Sequence, residues 1–172
     1  MDILIYVYIA LSAILIFYLV FPFITVLLAQ FTKEKIRSKA ELGTAYQEFD
    51  YGCIITAYKN AEIAKPLIAS LLQQPYQNFH IYLVADECDV TDFNFSDKKL
   101  TLLNPQPSLR LKAKSIIHAM ESYVRQHDYT VVFDADNLAH PDFLLEINKY
   151  ANNGHRAIQG QRTAKNLDTI YA

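Results

Sequence analysis

Y-T-V-V-F-D-A-D-N-L-A-H-P-D, running from Tyr129 to Asp142, decides how this chain folds. Its apolar, β-branched run Val131-Val132-Phe133 stops at two carboxylates separated by one residue, Asp134 and Asp136. A short apolar run bounded by polar residues predicts a buried strand. In open α/β sheets, ligands sit beyond the carboxyl ends of the strands. A D-x-D there aims two hard oxygen ligands at one place. Two carboxylates so close need a counter-ion to stay ionised together, and a divalent cation with phosphate oxygens supplies one. A solvated turn after a strand is the alternative at this level, and the rest of the chain bears on the choice.

After the motif, Pro141 occupies a first helical position. Phe143, Leu144, Ile147 and Tyr150 then have the spacing of an amphipathic helix, stopped by Asn153-Gly154. Ala157 to Gly160 reads as one more strand. Before the motif, Leu111 to Tyr123 predicts a helix with Ile116, Ile117, Met120 and Tyr123 on one face and Lys112 and Lys114 at its start. Leu100 to Leu103 predicts a short strand. His80 to Val84 predicts another, ending at Ala85-Asp86-Glu87-Cys88-Asp89. Glu62 to Gln73 carries Ile63, Leu67, Ile68, Leu71 and Leu72 at helical spacing, with Pro66 in the first turn. Tyr51 to Ala57 reads as the first buried strand. Strands alternating with helices imply an α/β fold with a mainly parallel sheet.

Three polar groups then follow successive strands: Thr56-Ala57-Tyr58, Asp86, and Asp134 with Asp136. In a parallel sheet these strand ends share one edge. Asp86 can accept hydrogen bonds from a nucleobase or a sugar hydroxyl, and Tyr58 can stack on a base. Lys112 and Lys114 can meet a diphosphate. Taken singly, each is equally an ordinary turn, packing or surface residue; their order and placement carry the reading.

At the other end, Ile3 to Ala29 contains no charged residue. A helix of that length exceeds the ~30 Å hydrocarbon core, so it spans with tilt or kinks at Pro22. A cleaved signal peptide wants a basic start and an A-x-A site. Here only Asp2 precedes the run and no A-x-A follows, which favours a retained anchor. Lys33, Lys35, Arg37 and Lys39 follow directly, so the positive-inside rule puts the remainder in the cytoplasm. The chain thus divides into a transmembrane anchor at 1–30, a basic juxtamembrane stretch at 31–50, and a domain at 51–172. The juxtamembrane stretch reads as a surface-lying segment, a short helix or a plain linker. A net charge of −2 gives no argument for a nucleic-acid partner. Two cysteines without close spacing, Cys53 and Cys88, make neither a disulfide scaffold nor a zinc site.

Five segments, in order, resemble the family 2 glycosyltransferases with the GT-A fold, especially membrane-anchored, cellulose-synthase-like members that build polysaccharides. They are I-I-T-A-Y-K-N (Ile54–Asn60), L-I-A-S-L-L-Q-Q-P-Y (Leu67–Tyr76), V-A-D-E-C-D (Val84–Asp89), L-K-A-K-S-I-I-H-A-M (Leu111–Met120) and D-A-D-N-L-A-H-P-D-F-L (Asp134–Leu144). The resemblance implies a GT-A nucleotide-sugar-binding domain in which Thr56, Ala57, Tyr58 and Asp86 hold base and ribose, usually of a uridine donor. It puts Lys112 and Ala135 at the nucleotide-sugar as well. Asp134 meets the ribose or the metal, and Asp136 coordinates Mg²⁺ or Mn²⁺ on the diphosphate. It implies inverting transfer of a sugar to an acceptor hydroxyl on a glycan or lipid. It also implies that the catalytic base and acceptor motifs follow Gln159–Asp168, so the base is expected beyond Ala172 and the acceptor half is absent. The chain departs from the family pattern at Lys59-Asn60, Ala85 and Leu111, where Asn-Glu, Asp and Gly are more usual.

Two other readings stand beside this one. A non-catalytic, membrane-tethered nucleotide-binding module accounts for the same motifs. V-V-F-D-A-D-N-L also resembles the motif of haloacid-dehalogenase-type phosphatases, although that motif usually lies on a first strand.

Overall fold

The computed structural model describes residues 2–31 and 36–163. Lys33 and Lys35 of the basic flank, and the part of Gln159–Asp168 from Ala164 on, lie outside them. The chain divides into two compact units, Met1–Ile36 and Arg37–Ala172.

The first unit is one helix, α1 (Asp2–Phe31), with Pro22 inside it. The Thr25 hydroxyl donates to the Pro22 carbonyl at 2.8 Å. Its apolar side chains are exposed all round, Leu15, Phe23 and Phe31 among them. A helix apolar on every side needs a hydrophobic surrounding. Over Ile3–Phe31 it is long and apolar enough to cross a membrane.

Among the described residues the second unit is built on four parallel strands, β1 (Tyr51–Tyr58), β2 (Phe79–Asp86), β3 (Leu100–Leu103) and β4 (Tyr129–Asp134), in the order β3-β2-β1-β4. Each parallel step is crossed by helix or irregular chain: α3 (Lys65–Leu72), preceded by a 3-10 turn at Glu62–Ala64, and α4 (Lys112–Glu121). Finally α5 (Phe143–Asn152) follows β4. Side chains alternate across the sheet. Tyr51, Cys53 and Ile55 pack with Leu67, Leu71, Leu144 and Ile147 of α3 and α5. Ile54, Tyr82 and Val84 face the other way, toward Ala119 and Ile116 of α4. Helices on both faces explain why β1 and β2 are buried along almost their whole length. Cys53 is fully buried, and burial pushes its thiol far up.

Four expectations need correction. The Val131-Val132-Phe133 run is not a fully buried strand, because among the described residues no strand pairs with the outer side of β4; Val132 is 42% exposed on it. Ala157–Gly160 forms no strand among the described residues: it does not ladder onto β4, and Ile158 instead packs against the core. Pro141 precedes the helix rather than opening it, since His140–Phe143 closes as a turn (Phe143 N to His140 O, 2.9 Å) before α5 begins. The helix after Leu111 ends at Glu121, leaving Tyr123 to pack from the following turn.

Residues 37–50 are held by the sheet's own helix. Asn148 and Asn152 of α5, and Asn153 just after it, reach back to this stretch. Asn148 Oδ1 accepts from Phe49 N at 3.2 Å, and Asn152 Oδ1 accepts from Gln47 N at 2.7 Å. Asn153 Oδ1 accepts from Arg37 N at 3.0 Å. The short helix α2 (Lys39–Leu42) starts with a capping box between Ser38 and Glu41.

At the amino end of the strands Asp50 accepts from Arg125 Nε at 2.6 Å and lies 2.5 Å from His127 Nδ1. His127 Nε2 lies 2.9 Å from the Tyr82 hydroxyl. This network fixes the ring that closes over Gly52. A Cβ on Gly52 would fall 2.7 Å from Tyr123 Oη and 2.9 Å from His127 Cδ2. Gly52→Ala is therefore expected to destabilise the protein by about 2–3 kcal/mol, lowering Tm by roughly 5–10 °C in a calorimetric scan.

Candidate functional site

The register brings the sequence-predicted residues to one sheet edge. Thr56 on β1 pairs with Asp134 on β4, and Tyr58 pairs with Asp86 on β2. All four positions share the face that α4 covers, because residues in register across a parallel sheet point the same way. Lys112, the first residue of α4, donates to Asp134 Oδ1. Tyr58 is 52% exposed at this edge. Ala57 and Ala135 fall on the opposite face, with side chains buried in the core. What they can offer a ligand is backbone, and their smallness keeps the strand ends close.

The D-x-D lies on a turn. Asp134 ends β4, the buried Ala135 follows, and Asp136 is exposed, with Asn137 N donating to Asp134 O at 3.1 Å. Asp134 Oδ2 also accepts from Arg162 Nη2 at 2.9 Å. The hydrogen bond from Lys112, with the added charge of Arg162, holds the Asp134 carboxyl below the usual carboxylate range. Among the described residues no three His, Cys, Asp or Glu side chains converge as a metal cage. Two carboxylates on one turn instead fit Mg²⁺ or Mn²⁺, which keep waters and take their remaining ligands from substrate phosphates.

Asp86 sits deeper than a surface ligand. It is 3% exposed. Its Oδ1 accepts from the Ser108 hydroxyl at 2.9 Å and from Leu109 N at 2.8 Å, and its Oδ2 from Arg110 N at 2.7 Å. Burial alone would raise its pKa, but these hydrogen bonds outweigh it and the net shift is downward. The carboxylate thereby fixes residues 108–110, which lead straight into Lys112.

Around it stand three non-glycine residues with left-handed backbone: Lys59 (φ 64°), Glu87 (φ 57°) and Arg110 (φ 52°). Such conformations persist where the surrounding structure holds them, often at ligand sites. Lys59 N donates to Asp86 O at 3.1 Å, and Arg110 Nη2 donates to Glu87 at 3.0 Å. Lys59 Nζ lies 5.1 Å from the centre of the Tyr58 ring. The hydrogen bond with Glu87 raises the Tyr58 hydroxyl's pKa and lowers that of Glu87.

A cavity of about 610 Å³ follows the outer edge of β4. Thr130, Val132, Asn137, His140, Gln159 and Arg162 line it. Ser108, Glu87 and Arg162 were not singled out from sequence as site residues. Ser108 and Arg162 lie 22 and 28 residues from the acids they bond, and no local spacing signals such pairs.

Residues 50–172 match the sequence model described as Glycosyltransferase like family 2. No curated protein matches at a significant level. Solved structures of similar fold include residues 1–349 of TarS from S. aureus, with TM-score 0.53 and 14% identity, covering 60% of this chain and 32% of that one. The same TarS fragment in complex with UDP gives TM-score 0.53 and 16% identity, covering 60% and 32%. The mannosyltransferase PcManGT from Pyrobaculum calidifontis, in complex with GDP-Man and Mn²⁺, gives TM-score 0.51 and 18% identity, covering 63% and 33%. The chain thus spans about a third of the length of these structures, and the likeness is one of fold. The parallel sheet, the strand-end acids and the family match together make this chain a member of glycosyltransferase like family 2, with a GT-A-like fold.

Proposed function

We propose that this chain is the donor-binding part of a membrane-anchored glycosyltransferase that takes its sugar from a nucleotide-sugar, most simply a UDP-linked one. The observation that carries this is the pairing of Thr56 with Asp134 and of Tyr58 with Asp86 at one strand edge, with Lys112 against the D-x-D. Tyr58 and the Thr56–Ala57 backbone receive base and ribose. Asp86 holds the 108–110 loop that presents Lys112, and Lys112 meets the diphosphate. Asp134 and Asp136 hold Mg²⁺ or Mn²⁺, which when bound neutralises charge on the departing diphosphate. An acceptor hydroxyl of a glycan or lipid attacks the anomeric carbon from the opposite face, so the product is inverted. We assign the base for that step to no residue of this chain.

The exposed, uncharged Ile3–Phe31 helix supports a single-pass anchor at 1–30 in a cell membrane. The basic residues after it support a cytoplasmic domain. The domain extends from Arg37, since 37–50 bond to α5. Polysaccharide synthesis is the process this arrangement suits. The D-x-D follows β4, which comes after three other strands in the chain, rather than a first strand, which speaks against the phosphatase reading.

The test is calorimetric titration of UDP into the detergent-solubilised chain with and without Mn²⁺. Binding that needs the metal is the expected result. A folded protein that ignores UDP under both conditions overturns the uridine reading. Metal-dependent binding of UDP without sugar transfer from any nucleotide-sugar would favour the non-catalytic module.

A further inference from the structure

We propose that Arg162 is a displaceable counter-ion of the D-x-D: its guanidinium holds Asp134 until cation and donor bind, and then passes to the donor's diphosphate. This deepens the donor-site reading above and rests on it.

Asp134 carries two cations on two different oxygens, Lys112 on Oδ1 and Arg162 on Oδ2. A metal ion cannot share that carboxylate fully while both remain. The two cations are not equally fixed. Lys112 begins a helix whose approach is clasped by Asp86 through Ser108, Leu109 and Arg110. Arg162 lies in a stretch without helix or ladder, and its side chain is 78% exposed. An ion pair that exposed contributes at most about 1 kcal/mol, so it is the contact that yields.

Formal charge points the same way. Asp134 and Asp136 balance Lys112 and Arg162. A divalent cation and a nucleotide-sugar diphosphate, with one negative charge on each phosphate, also balance each other. When all meet, the carboxylates pair with the metal, and Arg162, the looser of the two cations, is left to pair with the diphosphate that Lys112 already faces. A guanidinium suits that exchange, because its planar fork matches carboxylate and phosphate alike. Arg162 already touches the motif, so a change of side-chain rotamer suffices.

The experiment uses the full chain in detergent, as wild type, Arg162→Gln and Arg162→Lys. Mn²⁺ binding alone is followed by the electron paramagnetic resonance of the free ion, and UDP binding in saturating Mn²⁺ by calorimetry. Arg162→Gln is expected to bind Mn²⁺ alone about threefold more tightly, because a competing cation is gone. It is expected to bind UDP with Mn²⁺ about tenfold more weakly, because a charge-assisted hydrogen bond is lost. Arg162→Lys should lie between. Both shifts are required: unchanged or weaker Mn²⁺ binding, or UDP affinity within about twofold of wild type, overturns the proposal. Wild-type protein that binds no UDP with Mn²⁺ overturns the donor reading and this inference with it. Normal wild-type binding with an indifferent Arg162→Gln removes this inference alone.

Discussion

Asp136→Ala is expected to abolish manganese-dependent binding of UDP, with a loss of at least about 100-fold, since removing even an outer partner of a metal ligand costs roughly 10–100-fold. The reason lies in how little the protein offers the metal. Among the described residues there is no third His, Cys, Asp or Glu to make a cage. Asp134 is shared with Lys112 and Arg162 and cannot replace a missing neighbour. Asp136 stands exposed on the turn, so its loss leaves the core intact and thermal stability within about 0.5 kcal/mol of wild type. Titration of UDP in Mn²⁺ beside a thermal scan separates the two effects. Retained affinity in the variant would mean that the metal is held elsewhere or is not needed.

Asp86→Ala is expected to act in the opposite way, on stability first. The Leu109 and Arg110 amides lose their acceptor, and a buried donor left unsatisfied costs about 1–3 kcal/mol. Leu109 is only half-buried and water reaches the exposed Arg110, so the net loss is expected to be about 1–3 kcal/mol. UDP affinity should fall too, because the freed loop no longer presents Lys112. Denaturant unfolding of the variant gives the first number and calorimetry the second. A variant of wild-type stability with weakened UDP binding would make Asp86 a direct ligand instead of a positioning residue.

The same carboxylate makes a pH prediction. Its folded pKa is depressed below its ordinary value of 3.8, as are those of Asp50 and Asp134. A depressed acid contributes stability that is complete above its unfolded pKa and is lost as pH falls through the folded value. Stability should therefore hold down to about pH 4 and drop below it. Asp86→Asn, which cannot titrate, should show a flatter acid limb in urea unfolding than wild type.

The sequence by itself determined the order of strands and helices from Tyr51 to Asn152, the parallel sheet, the long apolar N-terminal helix and the clustering of Thr56, Tyr58, Asp86 and the D-x-D at one edge. These are local matters: periodicity over a few residues and the rule that parallel strands share an end. Tertiary structure alone decided that β4 stands at the edge of the sheet among the described residues, since a run such as Val131-Val132-Phe133 reads alike whether or not a further strand covers it. It alone turned Asp86 inward, because the Ser108 and Leu109 groups that bond it come from a loop beyond β3. It set residues 37–50 against Asn148, Asn152 and Asn153, a contact some 100 residues apart in sequence. And it brought Arg162 to Asp134. Each of these depends on where a side chain's partner lies in space. Spacing along a chain carries no record of a partner that only the packing of the sheet brings near.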